Sequence, residues 1–509
     1  MKKIISMTSC ALLLVVSGCA SGNYYNPYQQ VPQNAYDADE PQNTEEYSEI
    51  VENPFIRVQD MAFSTFGADV DTASYSIIRR KLMSNVLPDP NAVRIEEMLN
   101  YFDYNLPVPT GDDAIAVHAE LGLAPWNDRH LLLMVGLKTE DIVFEDTAPN
   151  NIVFLMDTSG SMSSSDKLPL LKTAIRTLVD ELRPMDKLSM VAYAGSAGIV
   201  LEGGDVGSKG DILDALDSLE AGGSTAGGEG INLAYQVAER QWIEGGNNRV
   251  ILATDGDFNV GVSSDFDLER LITQKRNSGV FLSVLGFGEG NLKDSKMQIL
   301  ADKGNGIYHY IDSAMEAKKV FVDELGGSLV TVAKDMKLQL EFNPYYVKAH
   351  RLIGYENRVM AYDEFSDDAI DSGDMGAGHE VIALYEIIPA GSSEVVAPIE
   401  FDIEVENKYT GTNFIDEFVD VGIRYKDPDG SVSRLSHHTF SPDMPVPSNS
   451  TRFILASSIA EFGLVLRNSD YKSAASYNDV IQQLLPIADD NVYWTELLEL
   501  VRKANQLSD

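Results

Sequence analysis

Cysteine and histidine are scarce in this sequence, and the shortage limits its chemistry. Of the 509 residues only Cys10 and Cys19 are cysteines, so residues 20–509 can form no disulfide. The seven histidines are scattered along the chain, and no His-Glu-x-x-His sequence of a zinc hydrolase occurs. The fold after residue 20 therefore depends on its apolar core, and neither a zinc nor a cysteine hydrolase is indicated.

Long hydrophobic runs and positive charge are also in short supply. A membrane-spanning helix needs roughly 18 consecutive apolar residues, and no segment beyond residue 20 reaches that length. Lys and Arg number 39 against 78 Asp and Glu, which gives a formal net charge of −39. Such an acidic surface repels nucleic acid and anionic lipid head groups, so we expect no nucleic-acid partner.

The chain opens with MKKIISMTSCALLLVVSGCASG. Lys2 and Lys3 form a basic start, residues 11–16 are apolar but too few to span a membrane, and residues 16–19 form a small-residue processing site. This opening resembles a bacterial lipoprotein signal. The resemblance implies a signal peptide over residues 1–19 and a lipidated Cys19 that anchors the mature chain in the bacterial envelope. Because residue 20 is Ala and not Asp, it also implies retention at the outer membrane, and an ordinary secretory signal is the alternative.

Composition divides the rest of the chain into regions. Residues 20–50 are rich in Tyr, Gln, Asn, Pro and acidic residues, so we predict a disordered tether with order beginning near Pro54. The patterns that follow predict an N-terminal region of helices and strands over 51–148, an α/β domain over 149–328, an antiparallel β domain over 329–445 and a helical region over 446–509.

Strands and helices alternate between residues 151 and 325. Short apolar runs predict strands at Ile152–Met156, Leu188–Tyr193, Arg249–Ala253, Phe281–Gly286 and Ile307–Ile311, with a helix after each of the first four. This alternation is typical of a doubly wound, mainly parallel sheet. The alternating strands after residue 330 and those at 114–138 can form one antiparallel sandwich, with the α/β domain inserted between its halves or flanked by it.

Polar side chains follow three of the predicted parallel strands. In NNIVFLMDTSGSM, residues 150–162, Asp157, Ser159 and Ser161 come at the end of a buried apolar run. In LEAGGSTAGGEGI, Thr225 stands among five glycines before a helix, and in VILATDGDFNVG, Asp255 comes directly after an apolar strand. Ligands bind at the carboxyl ends of the strands in open α/β sheets, so we expect these five residues to share a site.

The five residues together resemble the metal-ion-dependent adhesion site of the von Willebrand factor A-domain (VWA) fold. The resemblance implies a divalent cation held by Asp157, Ser159, Ser161, Thr225 and Asp255. Mg²⁺ is the expected ion because it prefers about six oxygen ligands, with Mn²⁺ and Ca²⁺ as alternatives. The family further implies that an Asp or Glu carboxylate of a protein partner completes the coordination. A helix-capping turn that touches no metal is the alternative for this set.

Three other segments extend the resemblance over almost the whole mature chain. STFGADVDTASYSIIRR at 64–80, VRIEEMLNYFDY at 93–104 and GDMGAGHEVIALYEI at 373–387 resemble the N- and C-terminal regions of a family of bacterial VWA lipoproteins. In the first of them, Asp69 and Asp71 suggest a second cation loop, but a cap for a helix over Ser74–Met83 is the favoured interpretation. The loop GFGEGN at 286–291 lacks a phosphate-binding spacing and predicts a strand-end loop.

Three functions from different classes fit these patterns. The first is a metal-dependent protein-binding module displayed on a lipid-anchored scaffold, for adhesion or for assembly of envelope complexes. The second is a structural envelope protein whose metal only stabilises the fold. The third, a metal-dependent hydrolase, is disfavoured because no histidine or other general base accompanies the site, and no catalytic residues are predicted.

Overall fold

The fold is a parallel α/β sheet inserted into an antiparallel β-sandwich, as a computed structural model of the chain shows. The structure describes residues 44–508 apart from 69, 112, 144–146, 225–226, 257, 259–264, 325–328, 371, 402, 404, 410–414, 429, 431 and 444–449. Cys19, the predicted signal peptide and most of the predicted tether therefore lie outside the described residues. Within the described ranges, no helix is both long enough and apolar enough to cross a membrane.

The strands and helices are labelled in chain order. The strands are β1 Ile56–Arg57, β2 Phe63–Gly67, β3 Ile115–Ala124, β4 Asn127–Thr139, β5 Asn150–Asp157, β6 Lys187–Tyr193, β7 Ala197–Asp205, β8 Asn247–Thr254, β9 Val280–Phe287, β10 Tyr308–Ile311, β11 Thr331–Phe342, β12 Val347–Ile353, β13 Val359–Met360, β14 Met375–Gly376, β15 Glu380–Pro389, β16 Val419–Lys426 and β17 Ser433–Phe440. The helices are α1 Ala73–Met83, α2 Ile95–Asn100, α3 Leu168–Glu181, α4 Lys209–Asp217, α5 Gly227–Arg240, α6 Asp265–Asn277, α7 Asp294–Lys303, α8 Ala314–Lys318, α9 Thr451–Arg467, α10 Tyr477–Leu484 and α11 Val492–Ser508.

The inserted sheet has the order β10-β9-β8-β5-β6-β7. Its neighbours are parallel except for β7, which runs antiparallel to β6 at the edge. All eight residues of β5 are buried, because helices cover both faces of the sheet. The predicted doubly wound, mainly parallel sheet is confirmed, although strict strand–helix alternation is wrong at β7. That strand is only partly buried, and its apolar residues 199–201 are followed by Glu202 and two glycines, so it does not show the pattern of the buried inner strands.

The sandwich is built from strands on both sides of the insertion. One sheet has the order β1-β12-β15-β4-β3 and the other has the order β13-β2-β11-β16-β17. In the first sheet β4, which precedes the α/β domain, pairs antiparallel with β15, which follows it, so that Met134 lies opposite Leu384. Side chains from both sheets, including Phe66, Leu338 and Tyr385, form one buried core. The prediction that the two β segments form a single sandwich is confirmed.

Two local predictions near the start of the described chain are wrong. The composition predicts residues 44–50 as part of the tether, but the side chain of Glu45 is only 3% exposed and its carboxylate contacts Arg80 at 2.8 Å and Lys81 at 2.7 Å. These ion pairs hold the acidic segment to α1, and Tyr47 adds a contact with a buried apolar cluster. Asp71 does not cap α1 either, because its carboxylate accepts a hydrogen bond from the backbone N–H of Tyr308 at 2.8 Å.

Arg79 on α1 joins three parts of the molecule. Its guanidinium, only 4% exposed, donates to Asp312 at 2.7 Å and Glu316 at 2.7 Å in the α/β domain, and to Glu496 of α11 at 3.0 Å. It also donates to the hydroxyl of Tyr101 just after α2. A guanidinium has five N–H donors in a rigid plane, which lets one buried side chain serve all these acceptors.

Replacing Arg79 by Met should destabilise the protein by about 3–5 kcal/mol, because the buried carboxylates would lose their counter-charge. The measurement is the free energy of unfolding from urea denaturation. Arg502→Met is the matched control, since Arg502 lies on α11 with 40% of its side chain exposed and pairs with exposed Glu499. The control should change stability by about 0.5 kcal/mol or less, and equal effects of the two substitutions would contradict the role given to Arg79.

Candidate metal site

The candidate site lies at the carboxyl-end edge of the parallel sheet. Asp157 is the last residue of β5 and Asp255 directly follows β8, and these two strands are neighbours in the middle of the sheet. Because the two strands are parallel, both carboxylates emerge at the same edge, and both are fully buried. The apolar residues of β5 thus place an acidic group where the sheet ends and the loops begin.

Asp157 is held by hydrogen bonds from its own loop and from both neighbouring strands. Its Oδ1 accepts from the backbone N–H of Ser159 at 2.8 Å, and its Oδ2 accepts from the hydroxyls of Tyr193 at 3.2 Å and Thr254 at 3.4 Å. The pKa of Asp157 is raised to about 6, chiefly by burial and also by the nearby charge of Asp255, against the lowering effect of the Ser159 hydrogen bonds. Such a carboxylate ionises more readily when a cation is beside it.

The two serines stand between the two carboxylates. The hydroxyls of Ser159 and Ser161 are 2.9 Å apart, and Ser161 lies close enough to Asp255 to lower the pKa of that carboxylate. The structure therefore brings together four of the five predicted ligand residues. The fifth, Thr225, lies outside the described residues. The loop that precedes it is joined to the Asp157 loop by hydrogen bonds from Gly222 N to Thr158 O and from Gly160 N to Gly223 O.

Two contacts of Asp255 were not predicted from the sequence. Lys167 Nζ donates to Asp255 Oδ2 at 2.8 Å, and Asn291 Nδ2 donates to the same oxygen at 3.3 Å. Burial opposes the ionisation of Asp255, but the Lys167 ammonium and these hydrogen bonds outweigh it and hold the pKa of Asp255 below its usual range. No sequence signal marked Lys167, which only precedes a helix, whereas Asn291 belongs to the GFGEGN loop that was predicted to end a strand.

A glycine allows the Asn291 loop to approach Asp255. Gly256 has φ +104°, and a Cβ at this position would stand 2.5 Å from the carbonyl oxygen of Asn291. Any other residue would push residues 288–292, which follow β9, away from the site. The Thr-Asp-Gly sequence at 254–256 thus supplies the carboxylate of Asp255 and, through Gly256, the space in which the Asn291 loop approaches it.

The donor set fits a small hard cation. Two carboxylates and two hydroxyls offer oxygen alone, the donor that Mg²⁺ prefers, and oxygens on adjacent octahedral positions about 2.1 Å from a metal stand about 3 Å apart. The separation of the Ser159 and Ser161 hydroxyls, 2.9 Å, matches that spacing. In the described part of the chain, no group of three or more His, Cys, Asp or Glu could hold a metal. A cation here would rely on hydroxyls and water as well as carboxylates.

Comparison with protein families assigns three consecutive parts of the chain. Residues 41–134 match the family described as von Willebrand factor, residues 151–323 match the von Willebrand factor type A domain, and residues 327–507 match the family described as uncharacterized protein YfbK, C-terminal. VWA domains commonly take part in protein–protein interaction and adhesion, commonly bind a divalent metal at this edge of the sheet, and are typically non-enzymatic.

Individual relatives agree with the family assignment. The chain is 39% identical over 480 residues to the uncharacterized protein YfbK of Escherichia coli, covering 92% of this chain and 82% of the relative. It is 31% identical over 198 residues to the uncharacterized protein sll0103 of Synechocystis, covering 39% and 46% of the two chains. A solved VWA structure from Catenulispora acidiphila covers 74% of this chain and 87% of its own, at 18% identity and a TM-score of 0.42. The identity to YfbK over most of both chains shows that this chain belongs to the family of bacterial VWA-domain proteins that includes YfbK.

Proposed function

We propose that this protein is an envelope-anchored binding protein whose VWA domain captures a protein partner through a divalent cation. The convergence of two buried carboxylates and two serine hydroxyls at one sheet edge carries the proposal. Mg²⁺ is the proposed ion, with Mn²⁺ and Ca²⁺ as alternatives, and Thr225 is the proposed fifth ligand residue. Adhesion to another surface or assembly of envelope complexes would use this contact.

The charged and the neutral residues of the proposed site would contribute differently to metal binding. Asp157 and Asp255 would attract the cation, directly or through water, while Ser159 and Ser161 would coordinate it without adding negative charge. When bound, the cation would supply a positive centre that accepts a carboxylate. An Asp or Glu side chain of the partner is the proposed ligand. The serine hydroxyls are neutral and leave part of the cation's positive charge uncompensated, and a partner carboxylate can compensate it.

Asp157→Asn should weaken Mg²⁺ binding by more than about tenfold, because it removes a charged group at the proposed ion and changes outside the first coordination shell already cost roughly 10- to 100-fold. Isothermal titration of the purified protein with Mg²⁺ measures the affinity. Asp180→Asn is the matched control: Asp180 lies near the far end of α3, 82% exposed, and its loss should leave the affinity unchanged. Equal Mg²⁺ affinities for all three proteins would refute the site.

Partner capture separates the proposed function from its alternatives. The unmodified protein and the Asp157→Asn variant are each incubated with envelope extract in Mg²⁺ and in EDTA, and captured proteins are identified by mass spectrometry. The proposal expects a protein retained only by the unmodified site with Mg²⁺. If Mg²⁺ raises the melting temperature but captures nothing, the metal is structural. Mg²⁺-dependent hydrolysis of a phosphoester or a peptide would instead establish an enzyme.

Lipidation of Cys19 is the proposed means of anchoring, supported by the lipobox-like sequence VSGC at residues 16–19. A chain anchored in this way should incorporate radiolabelled palmitate and fractionate with the outer membrane. Cys19→Ser should abolish the label and release the protein into the soluble fraction, because the thiol is the point of lipid attachment. Cys10→Ser is the control and should keep the label, and release of both variants or of neither would contradict the assignment.

A further inference from the structure

Lys167 brings a positive charge into the candidate metal site. Its Nζ lies 2.8 Å from Oδ2 of Asp255, and the two side chains are only 8% and 0% exposed. A surface lysine keeps its ammonium in water, whereas this one gives up hydration to meet a buried carboxylate. The ion pair is therefore part of the interior of the site.

The path of the lysine side chain is built into the neighbouring loop. Gly288, at φ +70°, lies against the lysine stem so closely that a Cβ there would stand 2.2 Å from Lys167 Cε and 2.3 Å from its Cγ. The carbonyl of Gly288 is itself fixed, since it accepts hydrogen bonds from Arg80 at 2.8 Å and from the Tyr310 hydroxyl at 2.5 Å. Because Gly288 has no side chain, the stem of Lys167 can pass directly over it and place the ammonium against Asp255.

This ammonium changes the charge that a divalent cation would meet. Asp157 and Asp255 together carry two negative charges when ionised, and Lys167 cancels one of them. A cation would also have to share or displace the hydrogen bond between Lys167 and Asp255. The ammonium therefore lowers the electrostatic attraction for the metal, and a metal that does bind keeps more of its own positive charge.

We propose that Lys167 is a resident counter-ion of the metal site, which holds Asp255 in the metal-free protein and opposes the entry of a divalent cation. This inference rests on the proposed metal-binding function. Lys167 would raise the cation concentration needed to fill the site, and it would leave a bound cation more attractive to a partner carboxylate. Lys167 acts through Asp255 and is a positioning residue.

A purely structural lysine predicts a different result. If Lys167 only stabilised the loops around Asp255, its removal would loosen the site and weaken metal binding or leave it unchanged. A counter-ion predicts the opposite, because its removal frees Asp255 for the cation and abolishes a repulsion. A gain in metal affinity is therefore the readout that separates the two roles.

The test compares Mg²⁺ affinities of the purified full chain and of two variants, Lys167→Met and Lys167→Gln, by isothermal titration. Both variants should bind Mg²⁺ at least about tenfold more tightly, since a unit charge about 5 Å from a divalent ion changes affinity by that factor even at the dielectric constant of water. Lys167→Gln keeps a donor for Asp255 and so serves as the second variant if Lys167→Met folds poorly. Lys172→Met is the control, because Lys172 lies on α3, the helix that Lys167 precedes, but donates to the carbonyl of Leu219 at 2.7 Å.

Melting temperatures with EDTA and with Mg²⁺ give a second readout. Lys167→Met should melt at a lower temperature than the unmodified protein in EDTA, because Asp255 is left buried without a counter-charge, and Mg²⁺ should remove most of that difference. If the unmodified protein binds Mg²⁺ and neither Lys167 variant binds it more tightly, the counter-ion role is overturned while the proposed function stands. If none of the proteins binds Mg²⁺, Mn²⁺ or Ca²⁺, both proposals fall.

Discussion

The buried guanidinium of Arg79 is the interaction on which the arrangement of this protein depends. It lies where α1, the end of the parallel sheet and the C-terminal helix α11 meet, and it neutralises carboxylates from the last two. Without it, Asp312 and Glu316 would be left buried with their charge uncompensated, which the protein interior does not tolerate. The inserted domain is thereby tied to α1 and α11, whose apolar side chains share one buried core with side chains of β4 and β15 in the sandwich.

Buried ion pairs between a cation and a carboxylate also occur elsewhere in this acidic chain. Lys and Arg are outnumbered two to one by Asp and Glu, yet several buried carboxylates meet a cation within the fold. Arg94 contacts Asp294, Arg351 contacts Glu386, and Lys167 contacts Asp255, each at 2.8 Å or less. These three cations thus lie at junctions between elements, where each meets an acid of another strand, helix or loop. The candidate metal site is one such junction, where a metal would compete with the protein's own cation.

The sequence predicted the parts of this protein that short apolar runs specify. A strand buried on both faces needs consecutive apolar residues, so β5, β6, β8, β9 and β10 were recognisable. The residues that follow β5 and β8 could be assigned to one edge because parallel strands end together. The edge strand β7 is harder to recognise because it is only partly buried and its short apolar stretch is followed by Glu202 and two glycines. Residues 44–50 resemble a tether in composition because ion pairs of Glu45 with α1 and backbone hydrogen bonds to residues 290–294 do much of the work of holding them.

Four of the five predicted ligand residues meet in the structure, and the sequence by itself determined that meeting, since each is fixed by a strand end and a short loop. Tertiary structure alone decided what surrounds them. Lys167, Asn291 and Tyr193 reach the two carboxylates across separations of 36 to 88 residues. No local pattern encodes such contacts, because they depend on which strands are neighbours in the sheet and on the room that Gly256 and Gly288 leave between loops. The proposed ligand residues at the strand ends can therefore be predicted from the sequence. The groups that set the charge and the pKa values of the two carboxylates are brought to them only by folding.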